Sequence, residues 1–187
     1  MKLKSFISIG AAAGALFALS AQAEGWYVGA DVGRSSVGTV VPGVAMTKST
    51  DTVGGAFLGY QFTQNWGLEG FYTGVGKFSG VMPGGSGSGK GDAYGLDIVG
   101  TVPLADSFSI YGKLGYADTR TSASSVPLGL NGTNRSAATY GLGAEYDFTS
   151  QVGLRFGWDR YGAAVSNAGI TSNYNSNVWS LGILFKF

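Results

Sequence analysis

The 187-residue sequence contains no cysteine and no histidine, and proline is scarce, with 4 residues. Without cysteine no disulfide can form, so the fold must close its own backbone hydrogen bonds by geometry. Without histidine, activating a nucleophile near neutral pH would require an unusual base, so we expect no enzymatic activity. Glycine is abundant, with 33 residues, and aromatic residues make up 13% of the chain. This composition is typical of an exported β-protein rather than a disordered chain.

The chain also lacks a run of about 20 apolar residues, so the sequence predicts no transmembrane helix. Its one apolar stretch, 5–20, follows two lysines and precedes Ala21-Gln22-Ala23. A basic start, a short apolar stretch and a small-residue end are typical of a cleaved signal peptide. We therefore predict a signal peptide over 1–23 and one domain over 24–187. Removing two of the 12 basic side chains leaves ten against 11 acidic ones, without a basic patch, so no nucleic-acid binding is expected.

The final eleven residues show most clearly how the chain is organised. A period of two predicts a β-strand with alternate side chains on one face. Because the chain stops on an aromatic residue of the apolar face, the strand is typical of one that closes a barrel with lipid outside. The last strand of a soluble β-sandwich is the alternative. The apolar residues that recur at every second position are Trp179, Leu181, Ile183, Phe185 and Phe187.

The same alternation recurs along the chain and predicts eight strands. Short turns alternate strictly with long polar connections, as in outer-membrane barrels with short periplasmic turns and longer external loops. Each strand is long enough to cross a bilayer at a tilt. The predicted strands are 25–34, 51–62, 66–77, 91–102, 108–119, 136–148, 152–161 and 177–187.

Charges and aromatic residues fall on opposite faces of these strands, which a sandwich does not explain. Aromatic residues lie at both ends of the outward face, where amphipathic rings suit the two membrane interfaces. We therefore predict an all-β fold, an eight-stranded antiparallel up-and-down transmembrane β-barrel. The lower girdle is Trp26, Phe62, Trp66, Phe108, Phe148 and Phe187, and the upper girdle is Tyr72, Tyr94, Tyr116, Tyr140, Trp158 and Trp179.

Four segments resemble the transmembrane domain of the outer-membrane protein A superfamily: Gly25-Trp26-Tyr27-Val28-Gly29-Ala30, Gly55-Ala56-Phe57-Leu58-Gly59-Tyr60-Gln61, Trp66-Gly67-Leu68-Glu69 and Tyr140-Gly141-Leu142-Gly143-Ala144-Glu145-Tyr146. The resemblance implies a protein of the Gram-negative outer membrane with both termini in the periplasm, similar to the stand-alone, porin-like eight-stranded members. Larger members carry a peptidoglycan-binding domain. Because this sequence ends at Phe187, we expect no cell-wall tether.

The same resemblance implies partners and an assembly signal. The expected partners are outer-membrane lipid and lipopolysaccharide, the barrel-assembly machinery, periplasmic chaperones, and host or phage surface ligands that bind the loops. The alternating apolar residues of the last strand, which end on Phe187, are of the signal type that the family's assembly machinery reads. Outer-membrane barrel enzymes rely on histidine, so we expect a non-enzymatic monomer without cofactor or metal.

Two hairpins are predicted to place opposite charges inside the barrel. If the residues that flank the turn after 136–148 face each other, Glu145 lies opposite Arg155. The same reasoning for the turn after 91–102 places Asp97 opposite Lys113. Such pairs offset the cost of burying a charge in a narrow interior. A structural polar core is the favoured interpretation, and a gate or a proton path is the alternative.

The resemblance bears on that choice, because Glu69, Glu145 and Arg155 match positions of an inner charge network linked to channel opening. Inward glycines lie beside large side chains, an alternation that fills an eight-stranded barrel, so no wide pore is expected. We predict a structural or surface-interaction role with a side-chain-filled lumen. The alternative is a low-conductance passage for ions or small solutes, gated by Glu69, Asp97, Lys113, Glu145 and Arg155.

Overall fold

The structure is a computed structural model that describes residues 25–38, 45–82, 85–126, 130–167 and 170–187. The predicted signal peptide, 1–23, lies outside these residues and stays a prediction. Among the described residues, no helix is long and apolar enough to cross a membrane.

The described residues form eight long strands and two short ones. Neighbouring strands pair antiparallel in the order β10-β1-β3-β4-β5-β6-β8-β9, and β9 pairs with β10 to close a barrel. The short strands β2 (Ala45–Lys48) and β7 (Leu130–Gly132) add to β4 and β9. The predicted eight-stranded barrel is therefore confirmed. The long strands are β1 (Gly25–Val37), β3 (Thr50–Gln61), β4 (Trp66–Met82), β5 (Gly85–Ala105), β6 (Phe108–Val126), β8 (Asn134–Asp147), β9 (Val152–Asn167) and β10 (Ile170–Lys186).

Closure depends on the carboxyl-terminal strand, as its sequence indicated. β10 pairs with β1 from Tyr27↔Lys186 to Val37↔Ser176, and with β9 along its whole length. Beyond the last strand residue, the Phe187 N–H donates a hydrogen bond of 2.9 Å to the Trp26 carbonyl oxygen. Pairing on both sides leaves the wall without an open edge, which a lipid environment requires.

Strand bounds are where the sequence prediction was wrong, because the predicted polar loops are largely strand. The predicted loop 78–89 belongs to β4 and β5, which stay paired as far as Met82↔Gly85. β6 continues to Val126, where the sequence predicted a loop from about residue 120. These extensions are rich in Gly and Ser, so they carry no apolar alternation. Hydrogen bonds between the strands define them instead, and those bonds leave no pattern in the sequence.

The two faces of the wall follow the predicted alternation. Large apolar side chains point outward and are exposed, including Trp26 at 47%, Leu114 at 64% and Trp179 at 52%. Inward side chains such as Tyr27 and Leu184 are buried. So large an exposed apolar surface is stable only against lipid, which agrees with the predicted membrane-spanning barrel.

Candidate functional site

The lumen is the candidate functional site, and it changes in character along the barrel axis. At the end with the short turns it opens as a vestibule, a cavity of about 420 Å³. Polar side chains line this cavity, among them Gln61, Thr101, Asp147 and Lys186. Lys186 Nζ lies 2.7 Å from Glu145 Oε1 and 2.8 Å from Asp147 Oδ2. The vestibule therefore ends at a group of charged side chains.

Arg155 lies at the centre of these charges. It faces Glu145 across the β8–β9 hairpin, as predicted, and its Nε and Nη2 atoms each lie 3.2 Å from Glu145 Oε2. Its guanidinium carbon is 4.7 Å from the ring centre of Phe57 and 4.8 Å from that of Tyr111. Arginine stacks favourably on aromatic faces, so the cation is held by charge and by rings together.

Glu69 links two cations of the interior, Arg155 and Lys113. Its side chain is fully buried, and Oε2 lies 2.5 Å from Arg155 Nη1 and accepts a 2.9 Å hydrogen bond from the Tyr27 hydroxyl. Its other oxygen, Oε1, lies 3.5 Å from Lys113 Nζ. Glu69 is on β4 and Arg155 on β9, which are not neighbours in the wall. The contact therefore crosses the lumen, and hairpin registers could not reveal it.

The predicted pairing of Asp97 with Lys113 is wrong. Asp97 faces Gly115, and Lys113 faces Val99. β5 continues to Ala105 with an irregularity after Pro103, so the turn is shorter than predicted and the register moves by two residues. Lys113 Nζ lies instead 3.0 Å from Asp159 Oδ1.

Asp97 is a charged residue of the lumen that forms no ion pair among the described residues. Its side chain is buried, and Oδ1 has no hydrogen-bond partner within the described ranges. Asp97 is paired directly with Glu69, whose Oε1 also lacks a hydrogen bond there. Burying a carboxylate without a partner is costly, so the rest of the fold must stabilise this position. We refer to Glu69, Asp97, Lys113, Glu145, Arg155, Asp159 and Lys186 as the charged layer.

Little free volume remains inside this layer. Two cavities border Lys113, with volumes of about 20 and 10 Å³. A cavity of this size holds about one water molecule. Side chains therefore fill the space around these two cavities. Among the described residues, no group of side chains is arranged to hold a metal ion.

A layer of apolar side chains lies beyond the charged layer, toward the end with the long hairpins. Phe71 packs against it, with its ring centre 5.7 Å from that of Tyr161. Sequence reasoning missed this layer, because its members are mostly small and come from six different strands. Its side chains make this part of the lumen apolar. The members of this apolar layer are Val53, Val75, Ala93, Ala117, Tyr161 and Val178.

Hydroxyl groups satisfy the backbone beyond the apolar layer. Thr119 Oγ1 donates a 2.8 Å hydrogen bond to the Gly162 carbonyl oxygen, and Ser176 Oγ donates one of 2.7 Å to the Val75 carbonyl oxygen. Arg135 Nη1 reaches inward to the Ala163 carbonyl oxygen at 3.0 Å. Side-chain hydrogen bonds therefore also link the strands at the outer end of the lumen.

A closed wall with an apolar exterior and a charged, filled interior is the architecture of an outer-membrane barrel. The family model for the outer membrane protein beta-barrel domain matches residues 6–187. The chain belongs to this family. Membership places it in the outer membrane and confirms the resemblance that its sequence motifs indicated. None of the curated protein sequences compared matches the chain.

Solved structures of other outer-membrane barrels share the fold. Neisserial surface protein A is 17% identical, with 90% of this chain and 100% of that one covered and a TM-score of 0.61. OprG from Pseudomonas aeruginosa is 15% identical, with 87% and 96% covered and a TM-score of 0.58. Ail, the attachment invasion locus protein of Yersinia pestis, is 17% identical, with 88% and 99% covered and a TM-score of 0.54. At these identities the likeness shows the fold alone.

The terminal aromatic residue of this family member is predicted to promote assembly. Trp179, Leu181, Ile183 and Phe185 are exposed on the outward face, as the assembly signal requires. We expect Phe187→Ala to lower the fraction of folded barrel in the outer membrane, because it removes the aromatic ring of the predicted signal. The backbone hydrogen bond to Trp26 is kept in this variant, so the effect would report on the ring alone. Heat-modifiable gel migration measures this fraction.

The matched control for this prediction is Phe187→Tyr, which keeps an aromatic ring at the terminus and should assemble like the parent. Deletion of Phe187 removes ring and backbone together and should lower assembly at least as much as alanine. Undiminished assembly of both Phe187→Ala and the deletion variant would contradict a role as an assembly signal.

Proposed function

We propose that this outer-membrane barrel is non-enzymatic and closed to solutes, and that its role is structural or surface-interactive. The filled lumen is the observation that supports this proposal. A solute entering from the vestibule meets the charged layer with cavities of only about 20 and 10 Å³, and then the apolar layer. Sugars and drug-sized solutes would have no path between these side chains.

The extended hairpins support a role at the outer surface. β5 begins at Gly85, which is about 30 Å along the strand from Tyr94 of the upper girdle. Paired strands of this length raise a wall above the membrane interface. Ail, one of the similar structures, is by name an attachment protein. We propose that host or phage ligands bind the hairpins and that the wall contacts outer-membrane lipid and lipopolysaccharide. We further propose that the protein is a monomer, and that the assembly machinery and periplasmic chaperones bind it transiently.

A second candidate function is a low-conductance ion passage gated by the lumen ion pairs. This candidate is supported by two carboxylates that each contact two cations. Glu69 contacts both Arg155 and Lys113, and Glu145 contacts both Arg155 and Lys186. An acidic group held between two cations can exchange one for the other, and such an exchange would move side chains within the lumen. This candidate makes the charged layer the gate.

Planar-bilayer recording of Lys113→Ala distinguishes the two candidates. We expect neither the parent nor Lys113→Ala to conduct steadily, because the apolar layer still blocks the lumen after the lysine is removed. The double variant Lys113→Ala/Tyr161→Ala should conduct, because it removes the largest side chain of that layer and the cation below it.

Lys186→Ala is the matched control for these recordings, because it removes a lysine from the open vestibule and should leave the conductance unchanged. Steady conductance of Lys113→Ala alone would favour the gated passage. A large, steady conductance of the parent would contradict the closed barrel.

A further inference from the structure

The outward-facing charges are concentrated at one end of the barrel. All outward basic side chains of the described residues lie near or beyond the upper girdle, at the end opposite to the short turns. In outer-membrane barrels the short turns are periplasmic, so this end faces the outer leaflet. Asp92 and Asp118 lie among these basic residues, and Ser136 Oγ donates a hydrogen bond to Asp118. The basic residues are Arg34, Lys77, Lys90, Arg120 and Arg160.

Two of these cations face each other directly. Lys77 on β4 is paired with Lys90 on β5, and both side chains are exposed. Neither forms an ion pair with a carboxylate in the described part of the chain. Like charges directly opposite destabilise a strand pair, so an anion bound between them would be stabilising. Arg120 on β6 faces Asp92 of β5 directly, and its guanidinium carbon lies 5.0 Å from the ring centre of Tyr94.

An apolar groove lies in the wall below this lysine pair. It is a cavity of about 570 Å³ on the outward face of β1, β3, β4 and β5. The small residues Ala56 and Gly70 leave the depression, and Leu58, Tyr72 and Leu96 are among the residues around it.

The groove and the lysine pair lie on the same two strands. Leu96, at the groove, is six positions after Lys90 on β5, which is about 20 Å along the strand. A ligand that reaches both must therefore carry an anionic head at the membrane interface and an apolar chain within the bilayer. A soluble anion has no chain for the groove, and a soluble protein cannot reach a groove below the aromatic girdle.

We propose that this face binds one phosphorylated glycolipid of the outer leaflet. Lys77 and Lys90 hold a phosphate group between them, and an acyl chain fills the groove at Ala56 and Gly70. The carboxylates of Asp92 and Asp118 confine the anion to the lysine side. This inference rests on the proposed lipid-contacting role of the wall and assigns that role to a particular site.

Binding of lipopolysaccharide to the full chain, purified from outer membranes in detergent, tests the charged half of the site. In Lys77→Gln/Lys90→Gln the affinity should fall about twenty-fivefold, since each cation near a lipid headgroup contributes roughly fivefold. Arg34→Gln/Arg160→Gln, which removes two cations elsewhere on the same rim, should change it little. Dephosphorylated lipopolysaccharide should bind the parent and the lysine variant equally.

Gly70→Leu tests the groove. A Cβ atom at Gly70 would meet only ordinary contacts, the nearest at 3.5 Å from Leu96 Cδ2, so the variant should fold. The leucine would occupy the groove and should weaken lipopolysaccharide binding severalfold. Gly112→Leu is the matched control, because Gly112 also faces outward and its nearest neighbour, the Gly141 carbonyl oxygen, is 3.9 Å away.

Equal effects of the lysine and arginine double variants would overturn the proposal, because they would indicate unspecific attraction to the rim. Equal effects of Gly70→Leu and Gly112→Leu would overturn it as well. Competition by inorganic phosphate at the concentration of the lipid would indicate a free-phosphate site and would also overturn it. None of these results affects the closed lumen, which the bilayer recordings test separately.

Discussion

Replacing Arg155 with alanine should lower the free energy of unfolding by about 3–5 kcal/mol, the usual cost of removing one partner from a buried ion pair. The variant leaves Glu69 and Glu145 without the cation that contacts both. Glu69 is fully buried, so its carboxylate would be left in the interior without the guanidinium that contacts it. Urea unfolding in detergent micelles, followed by tryptophan fluorescence, measures the loss.

The control for Arg155→Ala is Lys186→Ala. Lys186 also contacts two carboxylates, but its side chain is 35% exposed at the vestibule. Water screens such pairs, so this variant should lose less than about 1 kcal/mol. Equal losses of unfolding free energy in the two variants would show that water reaches both cations, and they would contradict a filled interior.

Gly143→Val is expected to prevent folding of the barrel. A Cβ atom at this inward position on β8 would meet the Phe156 carbonyl oxygen and would lie 2.5 Å from the Tyr111 hydroxyl oxygen. The carbonyl belongs to the backbone of the adjacent strand, so it cannot move without disrupting the β8–β9 pairing. A packed interior does not absorb such an overlap. Heat-modifiable migration should show no folded band.

The control for Gly143→Val is Gly112→Val on the neighbouring strand β6. There the nearest atom to an added Cβ, the Gly141 carbonyl oxygen, is 3.9 Å away, and the side chain would point outward. This variant should fold like the parent. A folded Gly143→Val barrel would mean that Tyr111 does not occupy the lumen beside β8.

The number of strands and the direction in which each side chain points could be predicted from the sequence, because both follow from local alternation. Trp179 and Phe185 point outward and Leu184 inward because successive side chains of a strand lie on opposite faces. The pairing of Glu145 with Arg155 was also predictable, since a tight turn determines the register of the two strands it joins. Local rules determined these features.

The contacts within the lumen could not be predicted, because they depend on several registers at once. A shorter turn after Ala105, together with an irregularity after Pro103, was enough to move Lys113 away from Asp97. Glu69 meets Arg155 across the lumen, and the apolar layer around Tyr161 combines residues of six strands at one height. Closure of the whole barrel decides which residues share a height. The sequence by itself determined the wall and its two faces, and only the tertiary structure decided which charged and apolar side chains meet inside it.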